Sequence, residues 1–135
     1  MILDFFLPMA LLSLAQLTFC HEADKAPGVV DSAIPIEMRG RWGLTAADCD
    51  VTRDDATGAM LVSAEMLGFY DSRARLGDSH EVTPHRIDAS YSFAGDGMTW
   101  TRDMTLSLSG DGSTLTRTLS DADAGPVSLK YGRCG

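Results

Sequence analysis

The octapeptide Gly95-Asp96-Gly97-Met98-Thr99-Trp100-Thr101-Arg102 returns fifteen residues later as Gly110-Asp111-Gly112-Ser113-Thr114-Leu115-Thr116-Arg117. That period is too short for a solenoid unit but matches one strand plus one turn, so it predicts successive hairpins of an antiparallel meander over Arg86 to Leu119. Asp-Gly suits a two-residue turn, because type I′ needs positive φ at both positions. With Asp96-Gly97 as the turn, Phe93 faces Trp100, Ala89 faces Met104 and Tyr91 faces Arg102. With Asp111-Gly112 as the turn, Leu108 faces Leu115, Met104 faces Leu119 and Leu106 faces Arg117. Both turns then put the apolar residues on one shared face, as a half-buried sheet requires. A three-residue loop at Gly110 to Gly112 would set Leu106 and Leu108 against threonines, so the two-residue turn is preferred.

The same register puts Arg102 and Arg117 on the apolar face, with Arg102 near Asp121. A charge facing a core costs several kcal/mol unless paired. Three arrangements answer that cost: a cation–π contact of Arg102 on Tyr91 with an ion pair to Asp121, a polar anchor inside a ligand cavity, or a bulge that turns the side chains outward. The candidate ligand-binding set is therefore Tyr91, Phe93, Trp100, Arg102 and Arg117.

Met1 to Cys20, MILDFFLPMALLSLAQLTFC, is apolar but short and interrupted by Pro8, which reads as an export signal rather than a membrane span. Leu17-Thr18-Phe19-Cys20 resembles a bacterial lipoprotein processing box, with Phe19 where such boxes carry a small residue. Two outcomes follow: lipidation of Cys20, which is then the only membrane attachment, or ordinary cleavage, after Ala15 for instance, with Cys20 left in a tail. If Cys20 is lipidated or removed, Cys49 and Cys134 remain, and an even pair in an exported chain predicts a disulfide.

Residues 21–37 read as a tether, polar at first and containing Pro27 and Gly28. A domain of all-β class follows over 38–135, a small meander or closed barrel of about seven to eight strands. Its early strands are expected at Met38 to Leu44, Ala59 to Ser63 and Leu67 to Leu76, with loops at Asp48 to Gly58 and Gly77 to Pro84.

A formal charge of −8 and a pI near 4.6 disfavour nucleic-acid binding, which demands a basic patch. His80 and His85 lie five apart around Pro84, not four apart on a helix, and Asp48, Asp50, Asp54 and Asp55 lack the alternation of a calcium loop. No metal or other cofactor is expected. No serine sits in a nucleophile elbow, and no nucleophile, base and orienting group appear in credible order, so an enzyme is not expected.

Gly40-Arg41-Trp42 on the first strand, with Arg133 near the end of the last, resembles the signature of the calycin group, which includes lipocalins and small bacterial inhibitor barrels. The resemblance implies that Trp42 packs under a basic residue of the final strand, Arg133 before Lys130, where the barrel closes. Trp42, Cys49, Phe69-Tyr70-Asp71-Ser72 and Tyr131-x-Arg133-Cys134 also resemble small exported proteins of Gram-negative bacteria. From this the chain is expected to be a periplasmic or outer-membrane-tethered monomer that binds a protein or small-molecule ligand. An inhibitor of a secreted hydrolase comes first, a carrier of a small apolar or anionic ligand second, and a structural envelope lipoprotein third.

Overall fold

The computed structural model describes residues 33–120 and 123–135. The eight strands are β1 (Gly40–Gly43), β2 (Ala59–Val62), β3 (Met66–Gly68), β4 (Arg73–Thr83), β5 (Arg86–Gly95), β6 (Met98–Leu108), β7 (Thr114–Leu119) and β8 (Val127–Arg133). Each pairs antiparallel with its neighbours in sequence, and β8 returns to β1, giving a closed up-and-down barrel. Alternation along β5 shows how the sequence enforces this. Ile87, Ala89, Tyr91 and Phe93 are buried in the core, while the intervening Asp88, Ser90 and Ser92 face out. On that outer face Ser90 Oγ donates to Asp103 at 2.6 Å, and Thr105 Oγ1 donates to Asp88 at 3.3 Å.

The two hairpins have the expected registers but differ in construction. Phe93 pairs with Trp100, Ala89 with Met104, Leu108 with Leu115 and Met104 with Leu119. Asp96 and Gly97 both have positive φ, 50° and 73°, as a type I′ turn demands. At the second hairpin Gly112 alone is positive, at 75°, and the loop spans Gly110 to Ser113, with Ser109 N–H donating to the Thr114 carbonyl at 2.9 Å. The Asp111 carboxylate sets this geometry. It accepts from Ser109 Oγ (2.7 Å), Ser113 Oγ (2.8 Å) and Ser113 N–H (3.1 Å), and these bonds, the Ser109 hydroxyl first, hold its pKa at about 2. A longer loop centred on the same point keeps the same cross-strand partners, so the shared apolar face could not distinguish the two turns.

Three boundaries differ from the sequence expectation. The strand expected over Leu67 to Leu76 is two strands, broken by a turn in which Phe69 N–H donates to the Ser72 carbonyl at 2.8 Å. The expected loop Gly77 to Pro84 is β-strand as far as Thr83, with register shifts between Leu76 and Ser79 and between Ser79 and Glu81. Those bulges break the two-residue period that would have marked a strand. The structured chain also begins earlier than Met38: Ile34 and Met38 are wholly buried, Ile34 N–H donates to the Ala64 carbonyl at 2.8 Å, and Ile36–Met38 forms a 3-10 turn. The expected leader, Cys20 and the first part of the tether lie outside the described residues.

That 3-10 turn plugs one end of the barrel above Trp42. The indole is fully buried, its Nε1 donates to the Met38 carbonyl at 2.8 Å, and the Arg133 guanidinium carbon lies 4.3 Å from the ring centroid. Arg133, not Lys130, is thus the partner of Trp42. Its Nη2 donates to the Glu37 carbonyl at 2.6 Å, Nε to Gly112 at 3.1 Å and Nη1 to Arg39 at 3.4 Å, so one side chain ties together the plug and the β6–β7 loop. Gly40, at φ 124°, makes the bend from plug to strand in a conformation side chains rarely tolerate.

Closure of the barrel is narrow. Only Trp42–Arg133 and Gly43–Gly132 pair across the β1–β8 seam. Beside it, Cys134 N–H donates to the Arg41 carbonyl at 3.0 Å, and the Cys49–Cys134 disulfide spans Cα atoms 5.2 Å apart. The disulfide is consistent with an oxidising, exported compartment.

Candidate functional site

Opposite the Trp42 plug the barrel opens into a cavity of about 280 Å³. Leu44, Phe69, Phe93, Leu129 and Tyr131 form its apolar wall, and Thr57, Gly58, Asp71 and Ser72 also line it. Three aromatic rings run along this end in a nearly parallel stack: Phe69 on Phe93 (centroids 6.0 Å apart, 15° between planes) and Phe93 on Trp100 (5.4 Å, 13°). Offset stacks of this kind hold ring positions beyond what burial alone specifies.

Arg117 enters the cavity from β7. Its guanidinium carbon lies 4.5 Å from the Phe69 ring centroid and 5.8 Å from that of Tyr131. Nη1 faces the Met104 sulfur at 3.9 Å, a weak acceptor, and Nε is buried with no hydrogen-bond partner. No carboxylate among the described residues forms an ion pair with Arg117. The charge is held by π faces, and an unmade hydrogen bond at a buried donor carries a cost of about 1–3 kcal/mol.

Of the sequence candidates, the structure brings Phe93, Trp100 and Arg117 together at this end. Tyr91 belongs to the core: it is fully buried, its hydroxyl has no partner, and burial, reinforced by the Asp88 charge, pushes its pKa up. Arg102 is exposed, no cation–π contact places it on the Tyr91 ring although the two are cross-strand partners, and the unbroken β5–β6 register leaves no bulge there. Among the described residues β7 runs to Leu119, which pairs with Met104. Asp121 lies outside the described residues. Gly40, Trp42 and Arg133 sit at the closed end and do not line the cavity.

Leu129 was not singled out from sequence, and Phe69 and Tyr131 entered only through the resemblance to small exported proteins, with no ligand-binding role. The expected Leu67 to Leu76 strand conceals the turn at Phe69, and β8 carries no turn signal like those that fix β5 to β7; its alternation of Leu129 and Tyr131 is the available clue. The acidic loop is locally committed: Asp50 accepts from Thr52, and Asp55 pairs with Arg53 at 2.9 Å. Among the described residues no three His, Cys, Asp or Glu side chains are grouped for a metal.

Asp48 organises the β1–β2 loop bordering the cavity. Its carboxylate accepts from Thr45 N–H (2.9 Å), Thr45 Oγ1 (3.2 Å) and Gly58 N–H (3.2 Å), and these bonds, the Thr45 amide first, hold its pKa below the ordinary 3.8. A folded-state pKa below the unfolded one gives stability that is fully present above pH 3.8 and is lost as pH falls through the lowered value. Asp48→Asn should therefore melt below wild type at neutral pH, with the gap closing as the pH drops beneath 3.8. A gap that stays constant on acidification would show that the carboxylate charge is not what holds the loop.

No family model, curated protein or solved structure matches the chain.

Proposed function

We propose that this barrel is an exported small-molecule binder, periplasmic or tethered to the outer membrane through Cys20, that carries a small apolar or anionic ligand in its open mouth. The observation that supports this is Arg117, a charge kept inside an aromatic cavity with a buried, unpartnered donor. Cavities lined mainly by apolar and aromatic side chains, with a few placed polar groups, are the usual form of a ligand site. The plug over Trp42, with Arg133 across its ring, supports a calycin-like assignment, in which one end is sealed and the other left open.

The test uses 1-anilinonaphthalene-8-sulfonate, an apolar anionic dye. One dye should bind per chain, with enhanced emission, and Leu129→Trp, which fills the cavity, should remove binding while circular dichroism is unchanged. Dye binding that survives Leu129→Trp would place the apolar site elsewhere and remove the support for carriage.

An interaction domain is the second reading, favoured by apolar side chains on the loops at the open end: Tyr70 is 60 % exposed and Val51 75 %. Paired Tyr70→Ala and Val51→Ser changes should leave dye binding intact. If they abolish retention of a periplasmic hydrolase by the immobilised protein, the inhibitor reading gains direct support.

A further inference from the structure

We propose that Asp96-Gly97 is a site of spontaneous isoaspartate formation in the folded protein, and that the equivalent Asp111-Gly112 is protected from it. The reaction is intramolecular. The Gly97 amide nitrogen attacks Asp96 Cγ and forms a C–N bond, and the carboxyl hydroxyl leaves as water, taking the amide proton. Water then adds to the main-chain carbonyl carbon of the resulting five-membered ring and breaks its bond to the Gly97 nitrogen. The chain now runs through the Asp96 side chain, with no net change in mass. A following glycine favours the step because it has no side chain to crowd the approach of the backbone.

The step needs a free carboxyl, a free amide and a turn that can open, and the two loops differ in all of these. The Asp96 carboxylate accepts no hydrogen bond from a described residue, and Gly97 N–H donates to no backbone carbonyl among them. Asp96 is exposed and is the only described residue other than glycine at positive φ, 50°, so leaving the turn relieves a conformation that costs an L-residue energy. At the second loop the Asp111 carboxylate is engaged by Ser109 Oγ, Ser113 Oγ and Ser113 N–H, and Gly112 N–H is committed to the Ser109 carbonyl at 3.0 Å. Arg133 also grips this loop, its Nε on the Gly112 carbonyl and its N–H on that of Ser113, each at 3.1 Å. The product would be felt at the mouth. An isoaspartate adds a backbone atom to the turn that sets Phe93 opposite Trp100, and adjoining Gly95 is so close to the β3–β4 turn that a Cβ there would stand 2.7 Å from the Asp71 carbonyl oxygen.

Ageing the folded protein at neutral pH, then separating its isobaric tryptic peptides and assigning the linkage by electron-transfer fragmentation, reads both positions in one sample. Isoaspartate should accumulate at Asp96 at least about tenfold faster than at Asp111, which must first give up its charge-assisted hydrogen bonds. In urea the two positions should age at similar rates, since both lie in Gly-Asp-Gly. The double variant Ser109→Ala, Ser113→Ala, checked for an unchanged circular dichroism spectrum, should speed the change at Asp111 in the folded protein and leave Asp96 as it was. Equal rates at the two positions of the folded wild type, or an Asp96 that converts in urea but stays intact when folded, would overturn the proposal. If the serine variant leaves Asp111 as slow as before, its hydrogen bonds are not what protects it, and the contrast drawn between the two loops is wrong.

Discussion

Trp42→Ala is expected to cost about 3 to 5 kcal/mol, the range for removing a large buried aromatic and leaving a partly collapsed cavity. Trp42 is fully buried, and its neighbours cannot close over the gap easily, because the Ile36–Met38 turn above is anchored by Ile34 and by the Arg133 side chain. The substitution also strips the Met38 carbonyl of its indole donor, adding an unmet buried acceptor. Since domains of this size have only about 5–15 kcal/mol in hand, the variant should melt more than about 10 °C lower or fail to fold. Arg133→Ala should cost less, because Arg133 is exposed and its cation–π term at such a site is about 0.5–1 kcal/mol. Arg133→Lys should not restore the loss, as an ammonium cannot span the carbonyls of Glu37, Arg39 and Gly112. Thermal and urea melts of the three variants check the order. A Trp42→Ala protein melting within a degree or two of wild type would mean that the plug is not structural.

Opening the disulfide should be comparably severe. Cys49 and Cys134 are 85 residues apart. In the chain-entropy model a loop of that length contributes about 4.6 kcal/mol by restricting the unfolded chain. The folded state gives a second reason, since the β1–β8 seam has only two paired residues on each side and the bridge lies beside it. The double variant Cys49→Ser, Cys134→Ser should have a much lower urea midpoint, and amide exchange should accelerate first at Trp42, Gly43 and Gly132. Uniform acceleration over all strands would indicate that the bridge acts on the unfolded chain alone.

The fold was legible wherever a local signal and a pairing rule agreed. Asp96-Gly97 and Asp111-Gly112 marked two turns, and the demand for one apolar face then fixed the partners of Phe93, Trp100, Met104 and Leu115. The pairing of Cys49 with Cys134 followed from cysteine number, on the expectation that the chain is exported and that Cys20 is lipidated or removed. The parts that were not legible have physical causes. Strand β4 hides its period behind two bulges, and the Phe69–Ser72 turn lacks a glycine or proline, so two strands looked like one. Arg102 and Arg117 stand in equivalent repeat positions with equivalent parity, yet one is exposed and the other lies among aromatic rings. The repeat itself, with the same residue type at the same position, does not distinguish the two environments.

The most direct measurement of the account's central claim is a ¹H–¹⁵N correlation titration of the assigned protein with 1-anilinonaphthalene-8-sulfonate. Binding in the mouth predicts saturable shifts at Phe69, Phe93, Leu129 and Tyr131 and an unmoved Trp42 indole. Shifts centred on Trp42 and Met38 would contradict it.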